Sequence, residues 1–222
     1  MIDHGAIGDW HGPMKNGQGY LLVVEDDPDI LNLLDTTLTF RDYRVITARN
    51  GREALDAVQR ERPTLVIADI MMPSLDGFGL VHRLRINPET RNIPVVFITA
   101  TYVSPEDREF ALNVGATRFI QKPVDLEKFL ATIEDLLNQG IPVAPEPLTE
   151  LNFYEEYRRR LEAKLDQKTA QIARDTHLIR THPEEEKLSI EASLRQALRE
   201  REDLALLLDE VREQLKRNTK AQ

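Results

Sequence analysis

Three acidic side chains stand in a row behind a short apolar run: Glu25, Asp26 and Asp27 in "VVEDDPDI". Like charges this close repel one another, so the cluster is either a solvated turn or a seat for a cation. Further along, Asp69 closes the run "TLVIAD", Thr99 stands near the end of "IPVVFITA", and Lys122 follows "TRFIQ". Several carboxylates with few nearby cations suit a hard divalent ion such as Mg²⁺, which takes oxygen ligands and keeps waters beside one or two protein carboxylates. An aspartate next to such an ion can act as a nucleophile towards a phosphoryl group. That transfer is mostly positioning and charge neutralisation. The ammonium of Lys122 would neutralise a second side of the phosphoryl group, and the hydroxyl of Thr99 would donate to its oxygens. Each residue alone has a plain structural explanation. Asp27, followed by Pro28, fits a helix N-cap; Asp69 fits a turn, Thr99 a β-branched strand filler, and Lys122-Pro123 ordinary loop chemistry. Taken together, at the ends of successive apolar runs, they point to one site.

Such a site requires elements that bring the run ends to one edge. "YLLVV" (20–24), "YRVITA" (43–48), "TLVIAD" (64–69), "IPVVFITA" (93–100) and "TRFIQ" (117–121) read as strands. Between and after them come stretches at helical spacing. Residues 29–40 carry Ile30, Leu33, Leu34 and Leu38; residues 51–61 place Leu55 and Val58 on one side; residues 77–85 follow. Residues 104–115 open on Ser104 and Pro105 and close on Gly115, and residues 125–140 open on Asp125 and close on Gly140. Runs as apolar as "TLVIA" and "PVVFI" suit strands covered on both faces, as in parallel sheets. The alternation predicts a doubly wound, five-stranded parallel α/β domain over 20–139. In such sheets functional residues collect at the carboxyl ends of the strands.

Residues 1–19 are Gly-rich, lack an apolar centre, and read as a flexible tail rather than a signal peptide. Residues 140–149 hold three prolines and read as a stiff linker. Residues 150–222 change character, with a dense mixture of Glu, Arg, Lys and Leu. Leu151, Tyr154, Arg158, Leu161, Leu165, Lys168 and Ile172 form a loose heptad row, and Ile190, Leu194, Ala197, Arg201, Leu204, Leu208, Val211 and Leu215 a cleaner one. Two amphipathic helices are expected, over about 149–180 and 183–217, with a capping box from Thr181 to Glu184. They could form a hairpin or one rod kinked at Pro183. Stripes of this kind need a partner helix, so a homodimer through the C-terminal helices is expected.

The net charge of −9, concentrated in the first 139 residues, argues against nucleic acid as the main partner. No cysteine is present, which removes disulfides and thiolate zinc sites. No apolar run approaches the roughly 20 residues of a membrane span. A soluble cytoplasmic protein with no membrane partner is expected.

Residues 20–139 resemble a response-regulator receiver domain, through "LLVVEDD", "LVIADIMMPSLDG", "VVFITA" and "FIQKP". The resemblance implies that Asp69 is the phosphoacceptor and that Glu25 and Asp26, with Asp69 and the backbone carbonyl of Met71, hold Mg²⁺. It implies that Lys122 and Thr99 contact the phosphoryl group. Phe119 is the implied switching aromatic, without the phenolic hydroxyl common there, and Pro123 the implied partner of a cis Lys-Pro bond. The donor would be a cognate histidine kinase or phosphotransfer protein, and the chain an acceptor rather than an enzyme. The stretch from Thr99 to Lys122 is slightly longer than usual, which places a shifted start of the fourth helix in "TYVSPED".

"THLIRTHPEE" faintly resembles the phosphorylated box of histidine kinases, which makes His177 a phosphotransfer candidate. Leu178 replaces the expected acid, and the residues after Pro183 are too few for an ATP-binding domain. The leading expectation is a Mg²⁺-dependent response regulator signalling through its helical extension. The alternatives are a structural or adaptor coiled coil with a vestigial receiver, or a phosphotransfer intermediate using His177.

Overall fold

The computed structural model describes residues 19–100, 104–138, 145–181 and 184–220. The expected N-terminal tail, the start of the 140–149 linker, the "TYV" of "TYVSPED" and the Thr181–Glu184 capping box therefore fall wholly or partly outside the described residues. Two compact units form, Met1–Pro147 and Leu148–Gln222.

In the first unit, β1 (Leu21–Val24), β2 (Val45–Ala48), β3 (Leu65–Asp69), β4 (Val95–Thr99) and β5 (Arg118–Gln121) alternate with α1 (Pro28–Thr39), α2 (Gly51–Arg60), α3 (Gly77–Ile86), α4 (Pro105–Val114) and α5 (Leu126–Asn138). All strand pairs are parallel, in the order β2-β1-β3-β4-β5. Every residue of β1, β3 and β4 is buried, the apolar runs suiting cover on both faces and the polar Asp69 and Thr99 that end β3 and β4 being buried with them. The register sets Val24 beside Ala48 and Ala68, Asp69 beside Ile98, and Thr99 beside Gln121. The carboxyl ends of all five strands thus line one edge.

Caps fix where the helices begin. Asp27 Oδ1 accepts the backbone N–H groups of Asp29 at 2.9 Å and Ile30 at 3.2 Å, so this third acid of the triplet terminates α1. Ser104 and Asp107 form a reciprocal capping box on α4, with Pro105 in the first turn. Gly115 closes α4 in the left-handed region, φ 113°. Its carbonyl accepts from buried Arg85, at 3.0 Å from Nε and 2.6 Å from Nη2. A guanidinium at a helix C-terminus is favourably placed against the helix dipole. Phe78 packs edge-on against Phe97 and Phe110, joining α3, β4 and α4.

Two helix faces differ from expectation. On α1 the buried row is Leu31, Leu34 and Leu38, while Leu33 is 48% exposed and Ile30 half-buried. Apolar residues at 30, 31, 33 and 34 offer more than one stripe at steps of three and four, and packing against the sheet selects the one through Leu31, Leu34 and Leu38. On α2 the buried side chains are Ala54 and Val58, with Leu55 half-buried.

The second unit is a pair of long helices, α6 (Glu150–Thr181) and α7 (Glu184–Lys220). Arg212 pairs with Glu162 at 3.1 Å, Lys168 pairs with Glu200, and Ser193 Oγ donates to Asp175 Oδ2 at 2.9 Å. Early α6 therefore meets late α7, which makes an antiparallel hairpin and not a continuous rod. In α7 the expected row is buried at Ala197, Leu204, Leu208 and Val211. In α6 the buried row is Phe153, Tyr157, Leu161 and Lys164. Of the expected row only Leu161 is buried, while Leu151, Tyr154, Arg158, Leu165, Lys168 and Ile172 form a half-exposed flank beside it.

Candidate functional site

Glu25 follows β1 directly, and its backbone N–H continues the ladder to the Ala48 carbonyl at 3.1 Å. That placement buries its carboxylate, at 1% exposure. Asp26, one residue on, is exposed. Asp69 is the last residue of β3 and is buried. Carboxylate oxygens of Glu25, Asp26 and Asp69 all lie within 4.8 Å of one another. Thr99 ends β4, buried, and its carbonyl accepts the backbone N–H of Lys122 at 2.9 Å. The Lys122-Pro123 bond is cis.

Lys122 binds two of the three acids. Its Nζ donates to Asp69 Oδ2 at 2.7 Å and to Glu25 Oε2 at 2.9 Å. The other Asp69 oxygen, Oδ1, accepts the N–H of Ile70 at 2.6 Å, and the N–H of Met71 also donates to the Asp69 carboxylate. Glu25 Oε1 is buried with no hydrogen-bond partner. One ammonium thus faces three carboxylates, and one buried oxygen has nothing to bind.

The electrostatics follow from that imbalance. Burial, and then the charge of Asp69, push the Glu25 carboxyl up to about 7, against a partial offset from Lys122. Asp26, although exposed as a residue, has its carboxyl partly shielded from water by the neighbouring acids and sheet edge, which raises it, and the charge of Asp69 adds to the rise. Burial raises Asp69 too, although Lys122 and the Ile70 and Met71 amides pull the other way. Burial opposes the charge on Lys122, but Asp69 and Glu25 outweigh it and its ammonium is held more tightly than usual. The oxygen-only donor set, the excess negative charge and the orphaned Glu25 Oε1 fit a hard divalent cation. Glu25, Asp26 and Asp69 are the residues that could hold it.

Of the residues singled out in the sequence, Glu25, Asp26, Asp69 and Lys122 converge, with Thr99 joined to Lys122 through the backbone and Met71 joined to Asp69. Phe119 lies in β5, half-buried, with the Arg108 guanidinium of α4 at 5.5 Å from its ring centroid. His177 belongs to the second unit and is exposed on α6. Sequence reasoning passed over Arg108, because no local pattern ties a residue of α4 to one of β5. It also passed over the Ile70 amide, whose bond to Asp69 comes from a turn that the types of residues 69–71 do not dictate.

The response regulator receiver domain family matches residues 21–134. The chain is 38% identical over 122 residues to the response regulator MprA of Mycolicibacterium vanbaalenii, covering 55% of this chain and 52% of that protein. It is 37% identical over 134 residues to the transcriptional regulatory protein GlrR of Escherichia coli, covering 60% and 29% respectively. The chain spans about half the length, or less, of these curated relatives. The signal receiver domain of a signal transduction histidine kinase from Syntrophus aciditrophicus superposes with a TM-score of 0.51 at 35% identity, covering 55% of this chain and 91% of that one. Relatives named as transcriptional regulators lend no support to the expected absence of a nucleic-acid partner. Among the described residues no helix is long and apolar enough to cross a membrane. Fold, site and similarity agree that the chain belongs to the response regulator receiver domain family.

Proposed function

We propose that this chain is a phosphorelay response regulator whose Asp69 accepts a phosphoryl group from the phosphohistidine of a kinase or phosphotransfer protein. The observation that carries this reading is Lys122, bound at once to Glu25 and Asp69 beside the orphaned Glu25 Oε1. Such an arrangement gains nothing as packing, yet holds a carboxylate, an ammonium and a cation seat in contact. An Asp69 oxygen attacks phosphorus, an O–P bond forms as the donor's N–P bond breaks, and the leaving imidazole keeps the electron pair and takes up a proton. Mg²⁺, held by Glu25, Asp26, Asp69 and the Met71 carbonyl, would neutralise charge on the phosphoryl oxygens. Lys122 then exchanges its bond to Asp69 Oδ2 for a phosphoryl oxygen, and Thr99 donates to another. Phe119 and α4 would reorient in response. The chain acts as an acceptor that also hydrolyses its own acyl phosphate, not as an enzyme acting on other substrates, and it works in the cytoplasm.

The half-exposed flank of Leu151, Tyr154, Leu165 and Ile172 on α6 supports a homodimer through the helical hairpin. His177 has exposure in its favour but belongs to no metal-holding group of acids and histidines among the described residues. Incubation with a small phosphodonor and Mg²⁺ tests the proposal. Wild type and His177→Ala should incorporate phosphate and Asp69→Asn should not. Incorporation by Asp69→Asn at the wild-type level would refute the assignment, and its absence from wild type would favour an adaptor role.

A further inference from the structure

The loop from Ile70 to Asp76 carries Met71 and is held at both ends. The N–H of Gly77 donates to the Ile70 carbonyl at 2.9 Å, and the N–H of Gly79 donates to Asp76 Oδ1 at 2.7 Å. Within the loop the Leu75 N–H donates to the Pro73 carbonyl at 2.8 Å, and Ser74 is in the left-handed region, φ 69°. A third attachment comes from another helix. Gly51, the first residue of α2, donates its N–H to the Leu75 carbonyl at 2.8 Å.

Gly51 and Gly79 lie outside the left-handed region among the described residues, so backbone conformation does not require glycine at either. Space does. A Cβ on Gly51 would stand 2.6 Å from the Leu75 carbonyl oxygen and 2.9 Å from Leu75 Cγ, and one on Gly79 would stand 2.6 Å from Leu75 Cδ1. The half-buried Leu75 side chain therefore fills a notch made by two glycines, one in α2 and one in α3. A fixed first-contact residue generally depends on such support behind it.

We propose that Leu75, seated between Gly51 and Gly79, is a positioning residue that holds the Met71-bearing loop ready for the divalent cation, so that α2 supports metal affinity without touching the site. This rests on the metal reading given above. The test uses the full chain, stripped with EDTA and titrated with MgCl₂. Mg²⁺ affinity is read from the amide resonances of Asp26 and Met71, and phosphoacceptance from a small phosphodonor is measured against Mg²⁺ concentration.

Leu75→Ala empties the notch and should weaken Mg²⁺ binding roughly tenfold, raising the Mg²⁺ concentration for half-maximal acceptance while leaving the rate at saturating Mg²⁺ near wild type. Gly51→Ala should weaken binding further, because its clash is with a backbone oxygen. Adding Leu75→Ala to Gly51→Ala should recover only the part due to the side chain. A Leu75→Ala protein that shows wild-type amide dispersion and wild-type Mg²⁺ affinity would overturn the proposal, as would a loss confined to the saturated rate. Should Gly51→Ala fail to fold, Leu75→Ala alone decides. If wild type itself binds no Mg²⁺, the metal reading fails and the proposal with it. Unaltered variants beside a binding wild type sink only the positioning role.

Discussion

Replacing Glu25 with glutamine should stabilise the metal-free protein above neutral pH. The Glu25 carboxyl rises from its ordinary 4.5 to about 7 on folding, because it is buried and faces Asp69. At 1% exposure, water screens it little. The folded protein thus holds this proton more tightly than the unfolded chain does. Its contribution to stability is complete below about pH 4.5 and is lost as pH rises through about 7. Each tenfold gain in proton affinity on folding is worth about 1.4 kcal/mol, so the loss by pH 8 is about 3 kcal/mol. Glutamine has no proton to lose, so the variant should equal wild type near pH 4.5 and exceed it by up to about 3 kcal/mol at pH 8. His82 works in the opposite sense, since burial lowers its imidazole to about 4 and costs stability as pH falls below the ordinary 6.5. That effect is common to both proteins and cancels in the difference. Urea unfolding of wild type and Glu25→Gln from pH 4.5 to 8 in EDTA, followed at the transition that loses the sheet, measures the gap. Saturating Mg²⁺ should narrow it, because the cation lowers the Glu25 pKa and the variant offers a poorer ligand. Parallel pH profiles in EDTA would refute the view that Glu25 is a strained carboxylate kept for a cation.

Lys122→Met removes the ammonium bound to both Glu25 and Asp69. It should abolish most phosphoacceptance yet leave Mg²⁺ binding by calorimetry as tight as wild type or tighter, and cost on the order of 3 kcal/mol in EDTA at pH 8. Asp27→Ala deletes a cap and no ligand, so urea melts should show a loss of about 1 kcal/mol with unchanged Mg²⁺ affinity. Leu204→Ala truncates a fully buried side chain of the hairpin. It should destabilise the helical unit by about 2–5 kcal/mol, read from helical circular dichroism, while phosphoacceptance on Asp69 persists.

The sheet was legible because β1, β3 and β4 are so uniformly apolar that only burial on both faces suits them, and because Asp27, Ser104 and Gly115 mark helix ends with chemistry that has few other uses. The faces of α1 and α6 were less so. In α6 the row at 153, 157, 161 and 164 and the row at 151, 154, 158 and 165 carry similar side chains at similar spacing, and tertiary packing chooses between them. The convergence of Glu25, Asp26, Asp69 and Lys122 could be inferred from strand ends, but not the division of labour within it. That Lys122 takes one oxygen from each of two acids and leaves Glu25 Oε1 bare is a matter of ångströms, which residue types do not encode.

The strand order has a consequence for how the molecule is made. The bond from Lys122 to Glu25 spans 97 residues of chain and that from Lys122 to Asp69 spans 53. Contacts this remote in sequence form late, after closer ones have lowered the entropy of closing the loop. A nascent chain that has folded β1 to β3 already gathers Glu25, Asp26 and Asp69, but has no ammonium to set against them until β5 pairs with β4 at the sheet edge. Any state with β1 to β3 in place and β5 absent would carry these three carboxylates without their Lys122 partner. Addition of the last strand both completes the sheet and brings an ammonium to those acids, so the proposed acceptor site is complete only once β5 is in place.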